Sequence, residues 1–269
     1  MITSLHNPLV KQCRQLHQGK YRHHHQQLLL EGTHLIMEAC AVRYPLLRVY
    51  STPAWQGKNP VLYQHLQEIA EHLESVSEPV LAALATTQTP DGIVAIAPRR
   101  PAASLELHSL GLVLEGIQDP GNLGTLIRTA AAAEVEGIYL GPGCVDLEHP
   151  KVLRATAGQW FRLGFKQSSD LSQDLAPYQT SSNWQIIATR PSPSSCNYWD
   201  LDYCQPTIFL LGSEGQGLSP ELRAQASQEV YIPQAPGVES LNVGVAAALL
   251  LYEVKRQRRH HAQGIESSD

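Results

Sequence analysis

Short, uniformly apolar runs recur through the second half of the chain. They fall at 112–114, 137–140, 185–188, 207–211 and 230–232. Strands buried on both faces lack the polar alternation of a half-exposed sheet, so these runs predict a parallel sheet. Helical patterns separate them, at about 123–134, 150–160, 218–226 and 242–257, and surface loops are predicted at 168–180 and 191–197. The alternation predicts an α/β domain with helices on both faces of the sheet and a ligand site at the carboxyl ends of the strands.

The part of the chain before residue 98 has a looser alternation, which predicts a smaller α/β domain. Its predicted elements are a run at 28–36 that leads into a helix, a strand at 46–51, an amphipathic helix at 63–73 and a strand at 93–97. Prolines and small residues at 97–104 indicate a linker. We therefore predict one domain over 1–97, a linker over 98–107 and a second domain over 108–269.

The composition excludes several classes of protein. The 269 residues include 20 Lys and Arg against 25 Asp and Glu, a formal charge of −5 that excludes nucleic-acid binding by bulk charge alone. There is no run of 18 consecutive apolar residues, so we predict no membrane span. The five cysteines are dispersed and form no CxxC pair, which argues against a disulfide framework and against a metal cluster. These features predict a soluble cytoplasmic protein without a metal.

The charge is unevenly distributed along the chain. Residues 1–30 contain no Asp or Glu but carry four cations, Lys11, Arg14, Lys20 and Arg22. This segment fits a contact surface for RNA phosphates, but taken alone it is more typical of a solvated helix face near a terminus. The adjacent histidines at 23–25 point in different directions on a helix, so they cannot easily share a metal ion. A second basic run at 255–259 ends the last predicted helix, where the helix dipole favours cations.

Three loops after predicted strands contain the candidate chemistry. In the first, Asn122 is predicted to cap a helix, and Arg128 falls about 240° around that helix from it. In the second, three glycines at 212–217 surround the carboxylate of Glu214, more than one turn needs. In the third, Ser240 and Asn242 open a long apolar helix whose first N–H groups are free to bind an anion. Each loop alone is also compatible with ordinary turn chemistry.

Together the three loops resemble the SpoU/TrmH family of RNA 2′-O-ribose methyltransferases. The resemblance rests on Asn122-x-Gly124-x-x-x-Arg128, on Leu211-Gly212-Ser213-Glu214-x-x-Gly217, and on Ile232-Pro233 with Glu239-Ser240-Leu241-Asn242-Val243. The segment 151–158 looks like the family's second helix. Residues 2–32 are similar to the start of the family's substrate-binding domain, a small ribosomal-protein-type α/β sandwich. The likeness therefore extends over nearly the whole chain.

The resemblance implies a fold and a reaction. The fold would be the SPOUT class, a parallel α/β sheet with a deep trefoil knot, and the protein a homodimer whose sites are completed across the interface. S-adenosylmethionine would be the methyl donor, and RNA the acceptor. The implied cofactor contacts are Thr189, Leu211, Gly212, Ile232, Leu241 and Asn242. The implied RNA contacts are Lys11, Arg14, Lys20 and Arg22.

The resemblance also implies roles at the reacting atoms. Arg128 would lie near the ribose 2′-hydroxyl, but an arginine stays protonated and is a poor base. We therefore expect it to orient the RNA phosphate and to stabilise the developing alkoxide. The residues expected to order the site are Asn122, Glu214, Ser240 and Asn242. Gly244 departs from the family pattern, which usually has a small polar residue there.

The N-terminal domain favours ribosomal RNA as the substrate, because stand-alone catalytic domains of this type more often resemble tRNA enzymes. Three alternatives differ in their consequences. A tRNA 2′-O-methyltransferase would act on the smaller RNA, and a non-catalytic RNA-binding or assembly factor would use the same scaffold without methyl transfer. A small-molecule methyltransferase would leave the basic segment at 1–30 without a use.

Overall fold

The structure is a computed structural model that describes residues 1–101, 104–190, 195–213, 215–238 and 240–266. It divides into two compact units. The first contains Met1–Pro101 and Asp146–Arg162, and the second contains Ala102–Val145 and Leu163–Asp269. The first change of unit, between Pro101 and Ala102, falls inside the predicted linker. The division of function between an RNA-binding and a catalytic domain stays a prediction.

The first unit is built on a mixed four-stranded sheet in the order β1-β4-β2-β3. Its strands are β1 (Gln27–Glu31), β2 (Arg48–Ser51), β3 (Leu73–Ser75) and β4 (Ile93–Pro98). Its helices are α1 (Pro8–Gln15), α2 (Gly19–His25), α3 (Thr33–Ala41), α4 (Pro53–Lys58), α5 (Pro60–Ile69) and α6 (Glu78–Leu84). The apolar residues of α1 and α6 form one core with the sheet. The leucines at 28–30 form a strand of their own before α3, which the sequence pattern did not separate from the helix.

The segment 146–162 belongs to the first unit through ion pairs and aromatic packing. It contains α8 (Pro150–Ala155) and a turn of 3₁₀-helix (Gln159–Phe161). Four ion pairs join it to the rest of the unit, Arg22–Asp146, Arg99–Glu148, Arg154–Glu31 and Arg162–Glu38. The guanidinium of Arg100 also stacks 4.6 Å from the ring centroid of Trp160. These contacts assign to the first unit a segment that lies, in sequence, between elements of the second.

The second unit is a seven-stranded sheet in the order β7-β6-β5-β10-β8-β11-β9. All of its paired strands are parallel. The strands are β5 (Leu110–Leu114), β6 (Gly137–Leu140), β7 (Gly164–Gln167), β8 (Gln185–Thr189), β9 (Cys196–Asn197), β10 (Thr207–Leu211) and β11 (Gln228–Tyr231). Strands β5, β6 and β10 are buried along their whole length, which confirms the parallel sheet that the apolar runs predicted.

Helices cover both faces of this sheet. On one face, α9 (Leu171–Gln179) and α10 (Pro220–Arg223) contribute Leu175 and Leu222 to the core under β8 and β10. Helices α7 (Pro120–Ala132) and α11 (Val243–Glu266) pack against each other. Because successive side chains of a strand point to opposite faces, each strand contributes side chains to the cores on both sides of the sheet.

Two predictions about helices are wrong. The predicted loop at 168–180 contains α9, whose polar sequence and internal Pro177 conceal an apolar side formed by Leu171, Leu175 and Tyr178. Helix α11 continues nine residues past the predicted end at 257, so the basic run at 255–259 lies within it and not at its C-terminus. The dipole explanation of that run therefore fails. Arg258 instead donates to the carbonyls of Tyr203 and Gln205, fastening α11 to the loop before β10.

Within the described part of the chain, no helix combines the length and the apolar character needed to cross a bilayer. Nor do the described residues contain a group of three or more His, Cys, Asp or Glu side chains placed to hold a metal ion.

Candidate functional site

The order of the strands places a crevice between β5 and β10. Strands β6 and β7 continue the sheet on one side of this pair, and β8, β11 and β9 continue it on the other. In parallel α/β sheets, ligands bind outside the carboxyl ends of the strands where the order reverses. The loops that follow β5, β8, β10 and β11 line two cavities in the second unit.

The first cavity has a volume of about 390 Å³, within the range of small-molecule sites. Its apolar walls are Leu211, Val230, Ile232, Leu241, Val243 and Ala246. Its polar lining includes Thr189, Arg190, Ser213, Gln216, Tyr231, Gln234 and Ser240. The Oε1 atom of Gln234 is buried and has no hydrogen-bond partner among the described residues. An unmet buried acceptor in a cavity wall is what a hydrogen-bonding ligand would satisfy.

The second cavity, of about 850 Å³, adjoins the first. The two share the residues Ser213, Gly215, Gln216, Gly217 and Val243. Its remaining lining is mostly polar or glycine and includes Glu115, Gly116, Gln118, Asp119, Asn122, Gly143 and Ser219. Both cavities therefore combine apolar walls with hydrogen-bonding groups, but the carboxylates of Glu115 and Asp119 line only the second.

The chain passes very close to itself where β10 ends. A Cβ atom at Gly212 would lie 2.2 Å from both the carbonyl carbon and the carbonyl oxygen of Gly217, and 2.5 Å from the nitrogen of Leu218. Gly217 has φ +69°, a conformation that a side chain disfavours. The backbone N–H of Gly217 donates to the Ser213 carbonyl at 2.9 Å, which closes the loop. A glycine is thus required at 212 by the close approach of the chain, and favoured at 217 by the positive φ.

The first and third loops meet through a pair of asparagines. Asn242 caps α11 because its Oδ1 accepts from the N–H of Gly244 at 3.0 Å. Its Nδ2 then donates to Oδ1 of Asn122 at 2.9 Å. The cap of α7 is Asp119, whose Oδ1 accepts from the N–H of Asn122 at 2.9 Å, so the prediction that Asn122 caps this helix is wrong. The carboxylate three residues earlier caps the helix, and the Asn122 side chain joins the two loops instead.

Glu115 is a site residue that the sequence patterns did not reveal. It follows β5, and its carboxylate accepts from the backbone N–H of Ser219 at 2.7 Å and from the Ser219 hydroxyl at 2.9 Å. Ser219 is the N-cap of α10, so this contact holds the end of the loop 212–219 in the wall of the second cavity. In the sequence, Glu115 is only a single carboxylate after an apolar run, and such a residue does not by itself indicate a site.

Gly244 lies where α11 crosses α7. A Cβ atom there would approach Cγ2 of Thr125 to 2.9 Å and Oδ1 of Asn242 to 3.2 Å. The absence of a side chain thus allows close packing of the two helices that carry Asn122 and Asn242. This departure from the family pattern has a local structural role.

The structure brings most of the predicted cofactor residues together. Thr189, Leu211, Gly212, Ile232 and Leu241 line the first cavity. Asn242 is not among the described residues that line it, and instead bonds to Asn122 at the edge of the second. Ser240 lines the first cavity and is exposed. Glu214 and Glu239 lie outside the described residues.

Arg128 is held apart from both cavities. It lies on α7, beyond Asn122, and its side chain is exposed. It is not among the described residues that line either cavity, and its side chain makes no hydrogen bond or ion pair with the described part of the chain. The guanidinium is thus available to a partner molecule.

The four predicted RNA contacts divide into two groups. Lys11, Arg14 and Lys20 are exposed on α1 and α2 of the first unit. Arg22 is only 1% exposed, and its guanidinium donates to the Leu16 carbonyl at 2.8 Å and to Asp146. Burial opposes ionisation of Asp146, but the hydrogen bonds from Arg22 and from the Glu148 backbone N–H, together with the nearby positive charge, outweigh burial and lower the pKa of this carboxyl. Arg22 therefore presents no charge to solvent, and the prediction that it contacts RNA is corrected.

Cysteine chemistry has no support at the site. Cys144 lies in the loop after β6, and its Sγ is 3.4 Å from the Leu114 carbonyl oxygen. Burial raises its pKa above the usual value, so it stays protonated at neutral pH and is a poor nucleophile.

Comparisons with known proteins agree with this geometry. The profile of the SpoU rRNA Methylase family matches residues 109–252, and that of the MRM3-like substrate binding domain matches residues 7–95. The uncharacterized tRNA/rRNA methyltransferase slr1673 of Synechocystis is 48% identical over 262 residues, covering 96% of this chain and 94% of that protein. The 23S rRNA (guanosine(2553)-2′-O)-methyltransferase of Bacillus subtilis is 29% identical, covering 94% of this chain and 98% of that protein.

Solved structures give the same picture. An AdoMet-bound rRNA methyltransferase from Sinorhizobium meliloti superposes with a TM-score of 0.81 at 30% identity. The match covers 95% of this chain and 97% of that chain. The likeness thus includes both units and a neighbour that was crystallised with the methyl donor.

Proposed function

The chain belongs to the SpoU rRNA methylase family, and from this premise we propose that it transfers a methyl group from S-adenosylmethionine to a ribose 2′-hydroxyl of ribosomal RNA. The observation that carries the proposal is the pair of adjoining cavities at the reversal of strand order. The first cavity suits a nucleoside-based methyl donor, and the second, whose lining includes the Asn122 amide and two carboxylates, suits the acceptor nucleotide. The trefoil knot of this family stays a prediction for this chain.

The first cavity fits the methyl donor in size and chemistry. Apolar walls on several sides suit a buried adenine ring, and the unmet Oε1 of Gln234 supplies an acceptor. The residues that would hold the donor are Thr189, Leu211, Gly212, Ile232 and Leu241. When bound there, S-adenosylmethionine supplies an electrophilic methyl group on a sulfonium. The protein's task is then to align a hydroxyl with that methyl group and to exclude water.

The asparagine pair is proposed to order the acceptor side. The Asn122–Asn242 hydrogen bond ties the first turn of α7 to the cap of α11, so the two helix starts move together. Ser240 lies on the donor side of the same helix start. Glu214 is kept in the proposal from the family motif alone. Ordering of this kind accelerates a transfer by holding the reacting groups in one geometry.

Arg128 is proposed to act on the partner's site in a homodimer. An exposed apolar stripe on α11 supports the dimer: Val245, Leu249 and Tyr252 are 49%, 38% and 53% exposed and lie within about 60° of arc on the helix. A second copy would bury this stripe. The Arg128 guanidinium would then orient an RNA phosphate and stabilise the developing alkoxide, because its planar fork matches a phosphate.

The first unit is proposed to hold the RNA. Lys11 and Arg14 are three residues apart on α1 and share a face, and Lys20 is the second residue of α2. Replacing all three with glutamine should lower the slope of log affinity against log salt by roughly 2 in magnitude, at about 0.7 per phosphate contact on single strands. The MRM3-like match over residues 7–95 supports ribosomal RNA as the substrate. An rRNA substrate is compatible with the predicted cytoplasmic location.

A methyl-transfer assay tests the proposal. The protein is incubated with methyl-labelled S-adenosylmethionine and, in separate reactions, with unmethylated rRNA and tRNA, and the digested nucleosides are identified by mass spectrometry. We expect a 2′-O-methylnucleoside from rRNA. Label in tRNA alone would favour the tRNA enzyme, and label on a base would contradict ribose methylation.

The non-catalytic alternative makes a different prediction. An assembly factor on the same scaffold would bind rRNA with the same salt dependence but would neither bind the donor nor transfer its methyl group. Calorimetric titration with S-adenosylmethionine separates the two, because the enzyme must bind it.

A further inference from the structure

Arg190 is a charged residue in the wall of the first cavity. It follows β8 directly, and its backbone N–H donates to the Val230 carbonyl at 2.8 Å, which fixes the start of the side chain beside β11. Apart from Arg190, the described lining residues carry no side chain that is charged at neutral pH. A cation in a wall of this kind selects a ligand with a negative group nearby.

The guanidinium of Arg190 is only loosely engaged within the protein. Its Nη1 lies 3.8 Å from Oε2 of Glu229, beyond hydrogen-bond distance, and the Arg190 side chain is 45% exposed. Glu229 is closer to another cation, since its Oε1 lies 3.3 Å from Nε of Arg223. The carboxylate that could hold Arg190 is therefore shared, and most of the five N–H donors of its guanidinium make no hydrogen bond to the described residues.

We propose that Arg190 binds the carboxylate of the methionine moiety of S-adenosylmethionine. This inference rests on the proposed function, because it assumes that the first cavity takes this donor. S-adenosylmethionine has one anionic group, its α-carboxylate, and carries positive charge on the sulfonium and the amine. The apolar walls suit the adenine ring, so the carboxylate is the part of the donor that a cation at the rim can pair with.

The test compares two ligands that differ only in this carboxylate. S-adenosylmethionine and decarboxylated S-adenosylmethionine are titrated by calorimetry into the wild-type protein and into Arg190→Gln, Arg190→Lys and Arg223→Gln. Arg223→Gln is the comparison variant, because it removes a cation that also pairs with Glu229 but is not among the described residues that line the cavity. Circular dichroism and the thermal midpoint establish that each variant is folded.

We expect Arg190→Gln to weaken binding of S-adenosylmethionine about three- to tenfold, as a partly exposed charged pair allows. It should not weaken binding of the decarboxylated ligand. Arg190→Lys should recover part of the loss. Arg223→Gln leaves the Arg190 guanidinium in place, so it should weaken binding of S-adenosylmethionine less than Arg190→Gln does and should not weaken binding of the decarboxylated ligand.

Two results would overturn the assignment. One is an equal loss for both ligands, which would mean that Arg190 shapes the cavity and does not bind the carboxylate. The other is wild-type affinity of Arg190→Gln for S-adenosylmethionine. Failure of the wild-type protein to bind either ligand is a separate result, since it would remove the proposed function and with it the premise of this inference.

Discussion

Alanine substitutions at the three glycines of the loop after β10 should destabilise the protein to different degrees, because the surroundings of the three glycines differ. We consider Gly212→Ala, Gly215→Ala and Gly217→Ala. At Gly212 the new Cβ would lie 2.2 Å from the Gly217 carbonyl group, so the crossing backbone would have to retreat by more than about 1 Å to reach normal contact. At Gly215 a Cβ meets nothing within 4 Å. At Gly217 the space is open, but φ is +69°.

These surroundings set three magnitudes. Gly212→Ala should cost about 3 kcal/mol or more of stability, at the upper end of overpacking effects. Gly217→Ala should cost about 1–2 kcal/mol, the penalty for a side chain in the left-handed region. Gly215→Ala should stay within about 0.5 kcal/mol of wild type, as an exposed substitution does.

The assay is urea unfolding followed by circular dichroism, together with calorimetric titration of S-adenosylmethionine. Because Gly212 lines the first cavity, displacement of the crossing backbone should also weaken donor binding at least about tenfold, or about 1.4 kcal/mol. Gly215→Ala serves as the control for adding a methyl group to this loop. Equal stability and equal donor affinity of Gly212→Ala and Gly215→Ala would refute the reasoning from the backbone crossing.

Three further predictions concern other parts of the molecule. Gly244→Ala should lower the free energy of unfolding by up to about 2 kcal/mol, because overpacking against Thr125 exceeds the gain in helix propensity. In a double-mutant cycle followed by urea unfolding, adding Thr125→Ser should recover part of this loss, and additive effects of the two substitutions would contradict the close contact. Arg128→Lys should keep donor affinity but lower kcat at least about tenfold, because it loses the planar fork, and near-wild-type turnover with an unchanged pH profile would contradict the assigned role. The pKa of Asp146 is lowered beside Arg22, so its ionised carboxylate should stabilise the fold above the ordinary pKa of 3.8, and this contribution should be lost as the pH falls. Asp146→Asn should therefore flatten the pH dependence of the unfolding free energy between about pH 5 and 2, and an unchanged slope would contradict this.

Much of the second unit could be predicted from apolar runs because burial on both faces leaves a direct signature. Strands β6 and β10 have the predicted bounds. Helix α9 was missed because its surface is polar and Pro177 interrupts it, so only three apolar positions reveal a helix. The end of α11 was missed because polar residues can continue a helix once tertiary contacts such as those of Arg258 hold it.

The site was partly predictable for a different reason. Motif spacing identified residues of the first cavity, because each loop follows a strand and parallel strands end at one edge. It could not reveal that Asp119 caps α7, that Glu115 holds Ser219 or that Arg190 lines the cavity, since each is a single polar residue without periodicity. The burial of Arg22 was equally hidden, because its carboxylate partner lies 124 residues away in sequence.

The central claim is that this chain methylates a ribose 2′-hydroxyl in ribosomal RNA. Its most direct test is a map of 2′-O-methylation across all rRNA and tRNA positions from cells with and without the protein, and from cells that carry the Arg128→Lys variant. We expect one rRNA ribose to lose its methyl group without the protein, and the variant to restore it incompletely. An unchanged map at every rRNA position would contradict the claim.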